Sequence, residues 1–129
     1  MKSFLDPLLR APAEGLQLAN ERTGSMVATT LLMAVDSQSR RTGLLKHTSL
    51  ADGHAMIIAP TGGIHTFFMK FDIDIAFVAR DGRVVKTRAA LRPWRVSLAP
   101  FAYAVVEMPS GTLARTGTRQ GDRLGVVAR

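Results

Sequence analysis

The chain has 129 residues, of which 47% are hydrophobic, enough for one folded domain and too many for a disordered chain. It has no cysteine, which excludes disulfides, thiolate metal ligands and a cysteine nucleophile. The formal net charge is +7, from 17 Lys and Arg against 10 Asp and Glu, so the sequence favours anionic partners over cationic ones.

The first residues do not have the pattern of a targeting segment. Phe4-Leu5 is followed at once by Asp6, and Leu8-Leu9 by Arg10, so the apolar core of a signal peptide has no room. No later stretch approaches the roughly 20 apolar residues of a membrane span. We therefore expect a cytoplasmic protein with no membrane partner.

The N-terminal residues predict an arm and a first strand over residues 1–24, followed by a single β-rich domain over residues 25–129. Thr23-Gly24-Ser25 is a turn signal between two apolar stretches, which indicates a hairpin. The second stretch, Val27–Val35, is uncharged at odd and even positions alike. It therefore predicts one strand covered on both sides.

Capping signals then indicate a short helix. Asp36 can accept hydrogen bonds from the free N–H groups that begin a helix, and Gly43 can end it. Met56-Ile57-Ile58 predicts a short buried strand that stops at Pro60.

The clearest pattern in the chain runs from Phe67 to Phe77. Its odd positions are all large and apolar, whereas Lys70, Asp72 and Asp74 occupy even positions. Such alternation is typical of a half-buried strand. It predicts one long strand that presents these three charged side chains together on a common face.

Turn signals divide the remaining sequence into further short strands. Asp81-Gly82 predicts a hairpin, and Pro93 places Arg92–Arg95 in a loop. Ser110 is the expected cap of a last short helix that ends at Gly117. The fold class predicted from this pattern is mainly β, a small β-sandwich or partly closed β-barrel with one or two short helices.

Six stretches together resemble the bacterial and archaeal domain-of-unknown-function family 192. They are Ser37–Leu45, His65–Phe77, Asp81–Val85, Leu91–Arg95, Glu107–Ala114 and Gly121-Asp122. Their order and their spread over about residues 25–128 make the resemblance specific. It implies a small β-sandwich or barrel and no established activity.

Two groups of residues could form a binding rim. Asp74 could act with His65 or Lys70 beside it, or it could simply cap backbone N–H groups. Trp94 could stack a sugar or base while the guanidinium groups of Arg92 and Arg95 hold a carboxylate or phosphate, or Trp94 could plug the end of a barrel. The candidate ligand-binding residues are Lys46, His65, Thr66, Lys70, Asp74, Arg92, Trp94 and Arg95.

These residues favour a non-catalytic binding module for a small anionic or sugar-like ligand, with no cofactor. The spacing of His47, His54 and His65 matches no metal motif, so no metal site is expected. One alternative is a small hydrolase or isomerase that uses Asp74 with His65. Another is a basic surface for nucleic acid or protein, which the scatter of the arginines disfavours. An exposed edge strand would allow a homodimer.

Overall fold

Short strands dominate the computed structural model of the chain, which describes residues 2–10, 12–44 and 47–129. The strands are β1 (Leu16–Asn20), β2 (Met26–Ala28), β3 (Thr30–Ala34), β4 (His54–Ile58), β5 (Gly63–His65), β6 (Ile73–Val78), β7 (Val84–Leu91), β8 (Val96–Leu98), β9 (Ala104–Pro109) and β10 (Leu124–Ala128). The helices are α1 (Asp6–Arg10), α2 (Ser37–Thr42) and α3 (Thr112–Thr116). The predicted mainly β class is confirmed.

The strands of these described ranges form sheets of five, three and two strands, none of which closes into a barrel. The five-stranded sheet has the order β3-β4-β9-β6-β7, and its only parallel pair is β3 with β4. The three-stranded sheet has the order β10-β1-β2, and β5 pairs with β8. The hairpins predicted at Thr23–Ser25 and at Asp81-Gly82 are confirmed as β1–β2 and β6–β7.

The five-stranded sheet is covered on both faces. On one face, Ile57 of β4, Val78 of β6 and Val106 of β9 belong to a first core cluster, which also takes side chains from the three-stranded sheet, α1 and α3. On the other face, side chains of the same strands, including Ile75 and Val105, belong to a second cluster. Every residue of β6 is consequently buried.

The long strand expected from Phe67 to Phe77 is wrong in its first half. The chain turns after Thr66, where Met69 N donates to Thr66 O at 3.1 Å and Phe68 has a positive φ of 66°. Strand β6 begins only at Ile73. Lys70 is therefore exposed in the turn before the strand, and it does not share a strand face with Asp74.

The single strand expected over Val27–Val35 is divided in two. Thr29 N and Thr30 N both donate to Gly53 O, at 2.7 and 3.1 Å. This junction passes the chain from the three-stranded sheet, through β2, to the edge of the five-stranded sheet, through β3. The segment is apolar at odd and even positions because its two halves belong to two different sheets.

Helix α2 has the predicted cap, whereas helix α3 does not. Asp36 Oδ1 accepts from Ser39 N at 2.7 Å, as expected for an N-cap carboxylate. The N-cap position of α3 is Gly111, not Ser110, and it makes no side-chain cap bond. The carboxylate of Asp74 takes that role from the neighbouring strand β6.

Both oxygens of Asp74 accept backbone hydrogen bonds. Oδ2 accepts from Gly111 N at 3.1 Å and from Leu113 N at 2.9 Å, and Oδ1 accepts from Ala90 N at 2.8 Å. The side chain is only 1% exposed. Asp74 thus joins β6, β7 and the start of α3 through its side chain. No helix among the described residues is long and apolar enough to cross a membrane.

Replacement of Asp74 should destabilise the fold much more than replacement of the nearby exposed Asp72. Asp74→Ala leaves three backbone N–H groups without their acceptor, that of Leu113 buried and those of Ala90 and Gly111 part-buried, so we expect a loss of about 3 kcal/mol in the free energy of unfolding. Asp72→Ala should change it by less than about 0.5 kcal/mol. Urea denaturation measures both values, and equal effects of the two variants would contradict this interpretation.

Candidate functional site

The central strand β9 carries a carboxyl group inside the protein. Glu107 pairs with Met56 of β4 on one side and with Ile75 of β6 on the other. Like Val105, two residues away on the same face, its side chain points to the side of the second core cluster. Glu107 is 3% exposed, and its Oε1 has no hydrogen-bond partner among the described residues.

Glu107 lines a cavity of about 800 Å³ between α2, β4, β5 and the turn after Thr66. Most of the lining is apolar. It includes Leu44, Ile58, Ile64, Phe68 and Met69. Gly43, which ends α2, contributes to the space, since a Cβ atom there would lie 3.9 Å from Glu107 Oε1. A side chain at this helix end would therefore contact the carboxyl group of Glu107.

Among the described residues, two further groups bring charge or a titratable nitrogen to the cavity, Arg40 and His65. Both are more exposed than Glu107, so the carboxyl lies at the inner end and these two groups lie nearer to solvent. Burial raises the pKa of Glu107 to about 8, because the charged form loses its hydration. At neutral pH the inner end of the cavity therefore carries a neutral carboxyl group.

Aromatic rings form a row beside the cavity. The ring centroids of His65 and Phe67 lie 4.9 Å apart, and those of Phe67 and Trp94 lie 5.8 Å apart, with interplanar angles of 27° and 29°. Phe68, which also lines the cavity, packs on Trp94 at 4.6 Å. We call His65, Phe67, Phe68 and Trp94 the aromatic row. Trp94 is 56% exposed, so the row offers a ring surface to solvent.

Thr66 holds the aromatic row in place. Its hydroxyl donates to Arg92 O at 2.6 Å and accepts from Arg95 N at 2.9 Å. Its backbone exchanges two more hydrogen bonds with the same loop, Thr66 N to Arg95 O and Trp94 N to Thr66 O. Thr66 itself is fully buried. These hydrogen bonds therefore connect the loop that carries Trp94 to the residue that follows β5.

The structure brings together five of the eight predicted site residues. His65, Thr66, Arg92, Trp94 and Arg95 meet through the hydrogen bonds of Thr66 and the aromatic row. The expectation that Trp94 plugs a barrel is wrong, because Trp94 is half exposed beside a sheet that stays open. Lys46 lies outside the described residues.

Asp74 does not belong to this group. On β9, Met108 pairs with Asp74 and the adjacent Glu107 pairs with Ile75, so Asp74 and Glu107 point to opposite faces of the sheet. Asp74 therefore lies across the sheet from the cavity that His65 lines. The predicted contact between Asp74 and His65 is wrong, because both oxygens of Asp74 are used by backbone N–H groups.

Sequence reasoning missed Glu107, Arg40 and the rings of Phe67 and Phe68. A signal for Glu107 was present, since it is the one charged residue within the apolar stretch Ala104–Met108. A carboxyl at the centre of a short buried strand is rare enough to single out. Phe67 and Phe68 gave no such signal, because the alternating pattern assigned them to a strand.

The described residues contain no group of three or more His, Asp or Glu side chains arranged to hold a metal ion. His54 is not part of the cavity lining, and its Nδ1 lies 3.4 Å from the backbone oxygen of Asp52.

Comparison with known proteins gives one family match and two related folds. The family model of DUF192, described as an uncharacterized ACR, matches residues 18–126. A crystal structure from Sinorhizobium meliloti 1021, described as a candidate transcription regulator, superposes with a TM-score of 0.76 at 24% identity, over 86% of this chain and 91% of that one. A protein of unknown function from Novosphingobium aromaticivorans DSM 12444 superposes with a TM-score of 0.73 at 25% identity, over 88% and 89%. No curated protein matches the chain.

The stability of the protein should depend on pH through Glu107. Its pKa rises from 4.5 in the unfolded chain to about 8 in the fold, so between these values only the unfolded chain releases the proton. The free energy of unfolding should therefore fall as pH rises across this window, by at most about 1.4 kcal/mol per pH unit. Glu107→Gln should lack this dependence.

Urea denaturation of the wild type, Glu107→Gln and the exposed-site control Glu14→Gln at several pH values measures the effect. The control should follow the wild type. A wild type and a Glu107→Gln variant with parallel pH profiles would contradict a neutral, buried Glu107.

Removal of the Thr66 hydroxyl should loosen the aromatic row. Thr66→Val leaves Arg95 N and Arg92 O without this partner, at a cost of about 2 kcal/mol. The protein has a single tryptophan, so its fluorescence reports on this loop alone. We expect a red-shifted emission in Thr66→Val and none in the exposed control Thr48→Val. An unchanged spectrum would show that Thr66 does not hold the loop.

Proposed function

The chain belongs to the DUF192 family, and since this family carries no assigned activity, we propose from the geometry that it is a non-catalytic binding module for a small polar or anionic ligand. The ligand occupies the cavity between α2, β4, β5 and β9. One observation carries the proposal: the Glu107 carboxyl is buried, lacks a partner among the described residues and lies at the inner end of that cavity.

The cavity has the properties of a small-molecule site. Its volume of about 800 Å³ lies within the range of roughly 300–1,000 Å³ that such sites occupy. Its lining combines an apolar wall with three polar anchors, Glu107, Arg40 and His65. Few and convergent polar groups in an apolar pocket are typical of ligand recognition.

An unpaired buried carboxyl is costly, which supports a role in binding. A buried polar group that makes no hydrogen bond costs about 1–3 kcal/mol of stability. Glu107 lies between two apolar pair partners, Met56 and Ile75, so an apolar residue would suit the position better. A ligand that completes the hydrogen bonding of Glu107 offsets this cost when it binds.

Binding is better supported than catalysis. The two hydroxyl groups in the cavity lining are engaged with the backbone, since Thr42 Oγ1 donates to Gln38 O and Thr61 Oγ1 donates to Gly63 O. Neither hydroxyl is paired with a general base. The described lining therefore offers one carboxyl without the activated nucleophile that covalent chemistry needs.

Several arginines are used within the fold, which weakens the case for a nucleic-acid surface. Arg22 Nε contacts Asp122 Oδ1 at 2.5 Å and lowers the pKa of that carboxyl, and Arg123 pairs with Asp81. Arg129 bonds to the backbone oxygen of Thr29. These guanidinium groups are engaged on separate elements rather than left free for phosphates.

Isothermal titration and amide NMR shifts test the proposal with a panel of monosaccharides, sugar phosphates and short carboxylic acids. We expect at least one compound to shift amides of β9, β4 and the end of α2, and to bind at least about tenfold more weakly to Glu107→Ala. The matched control Glu14→Ala should bind like the wild type.

The variant Trp94→Ala distinguishes binding in the cavity from binding on the aromatic row. If a sugar bound only by stacking on Trp94, Trp94→Ala would lose binding while Glu107→Ala would keep it, and the site proposed here would be wrong. If no compound of the panel bound to the wild type, the proposal would also be contradicted.

A further inference from the structure

The position of Glu107 restricts the chemistry of what it can bind. Its backbone neighbours across the sheet, Met56 and Ile75, are apolar, and so is most of the cavity lining. Among the described residues, the charged or titratable groups that line the cavity with it are Arg40 on α2 and His65 on β5. Asp74 of β6 faces the opposite side of the sheet, and His54 of β4 is not part of the lining.

This arrangement leaves the inner carboxyl in its neutral form. The described lining offers Glu107 no ion pair, and its burial raises its pKa to about 8. A neutral carboxyl is a hydrogen-bond donor through its O–H group, whereas a carboxylate only accepts. The inner end of the cavity therefore presents a donor to the ligand at neutral pH.

The outer part of the cavity has the opposite preference. Arg40 uses Nη1 to donate to Val35 O at 2.7 Å, and its other N–H groups donate to no described residue. A guanidinium suits a carboxylate, particularly where water still reaches both groups. An anionic group should therefore stay near Arg40, and the charge of the guanidinium disfavours a cation in the same cavity.

On the basis of the proposed function, we propose that the ligand is a small oxo-acid or hydroxy-acid, an organic anion with an apolar body and a neutral oxygen at the far end. The anionic group lies near Arg40, and the apolar body contacts Ile58, Ile64 and Phe68. The neutral oxygen accepts the hydrogen bond of the Glu107 O–H group. No bond forms or breaks, because the interaction is recognition alone.

Three probes of similar length test each end of this assignment. They are 5-oxohexanoate, which has an acceptor at the far end, hexanoate, which has none, and 6-aminohexanoate, which has a cation there. At pH 7 the wild type should bind 5-oxohexanoate about tenfold more tightly than hexanoate, because hexanoate leaves the buried donor unpaired. It should bind 6-aminohexanoate least tightly.

Variants of Glu107 show whether this preference comes from its O–H group. Glu107→Leu should lose the preference for 5-oxohexanoate, and Glu107→Gln, which keeps an N–H donor, should retain it. In the wild type the preference should vanish above about pH 9, where Glu107 becomes an acceptor only, and in Glu107→Gln it should persist. The same pH series in His65→Gln removes the other titratable group of the described lining.

Arg40 is tested in parallel. Arg40→Ala should weaken all three probes to a similar extent, whereas the control Arg88→Ala, on the exposed part of β7, should not. Equal affinities for 5-oxohexanoate and hexanoate, or tightest binding of 6-aminohexanoate, would overturn the oxo-acid assignment and leave the binding module standing. Absence of binding by all three probes would also overturn the assignment. The proposed function fails only if no compound of the panel of monosaccharides, sugar phosphates and short carboxylic acids binds either.

Discussion

Burial of the five-stranded sheet on both faces is the constraint from which the rest of the structure follows. Side chains of β4, β6 and β9 enter a hydrophobic cluster whether they point one way or the other. The polar side chains of β6 and β9 are almost fully buried, so each needs a hydrogen-bond partner or carries a cost. Two carboxyl groups lie in these strands on opposite faces, Asp74 and Glu107, and their surroundings differ completely.

The cavity lies where the chain passes from β5 of the two-stranded sheet to β6 of the five-stranded sheet. Thr66 fixes that departure by binding the loop that carries Trp94, and the turn that follows brings Phe68 and Met69 over the second cluster. On the other side Gly43 ends α2 without a side chain. The space above Glu107 is thus enclosed by this turn, the end of α2 and strand β5.

Local signals predicted much of the fold, whereas the site depends on contacts that no local pattern contains. Asp36 and Gly82 marked a helix start and a hairpin correctly, because capping and positive φ are properties of a few adjacent residues. The alternation from Phe67 to Phe77 misled, because an odd–even pattern does not reveal that a turn replaces half the strand. Asp74 was assigned to a polar face, yet both faces of β6 are buried. The neighbours that distinguish it from Glu107 come from distant segments.

The difference between the two carboxyl groups is the strongest argument for where function lies. Asp74 has its oxygens occupied by three backbone N–H groups, so a structural role accounts for it completely. Glu107 sits beside an open cavity and lacks such partners among the described residues, although an apolar side chain would fit between Met56 and Ile75 without the cost of an unpaired group. Packing therefore explains Asp74 and does not explain Glu107. A group that stability alone disfavours, at the inner end of a cavity of ligand size, is accounted for when a ligand supplies the missing hydrogen bond.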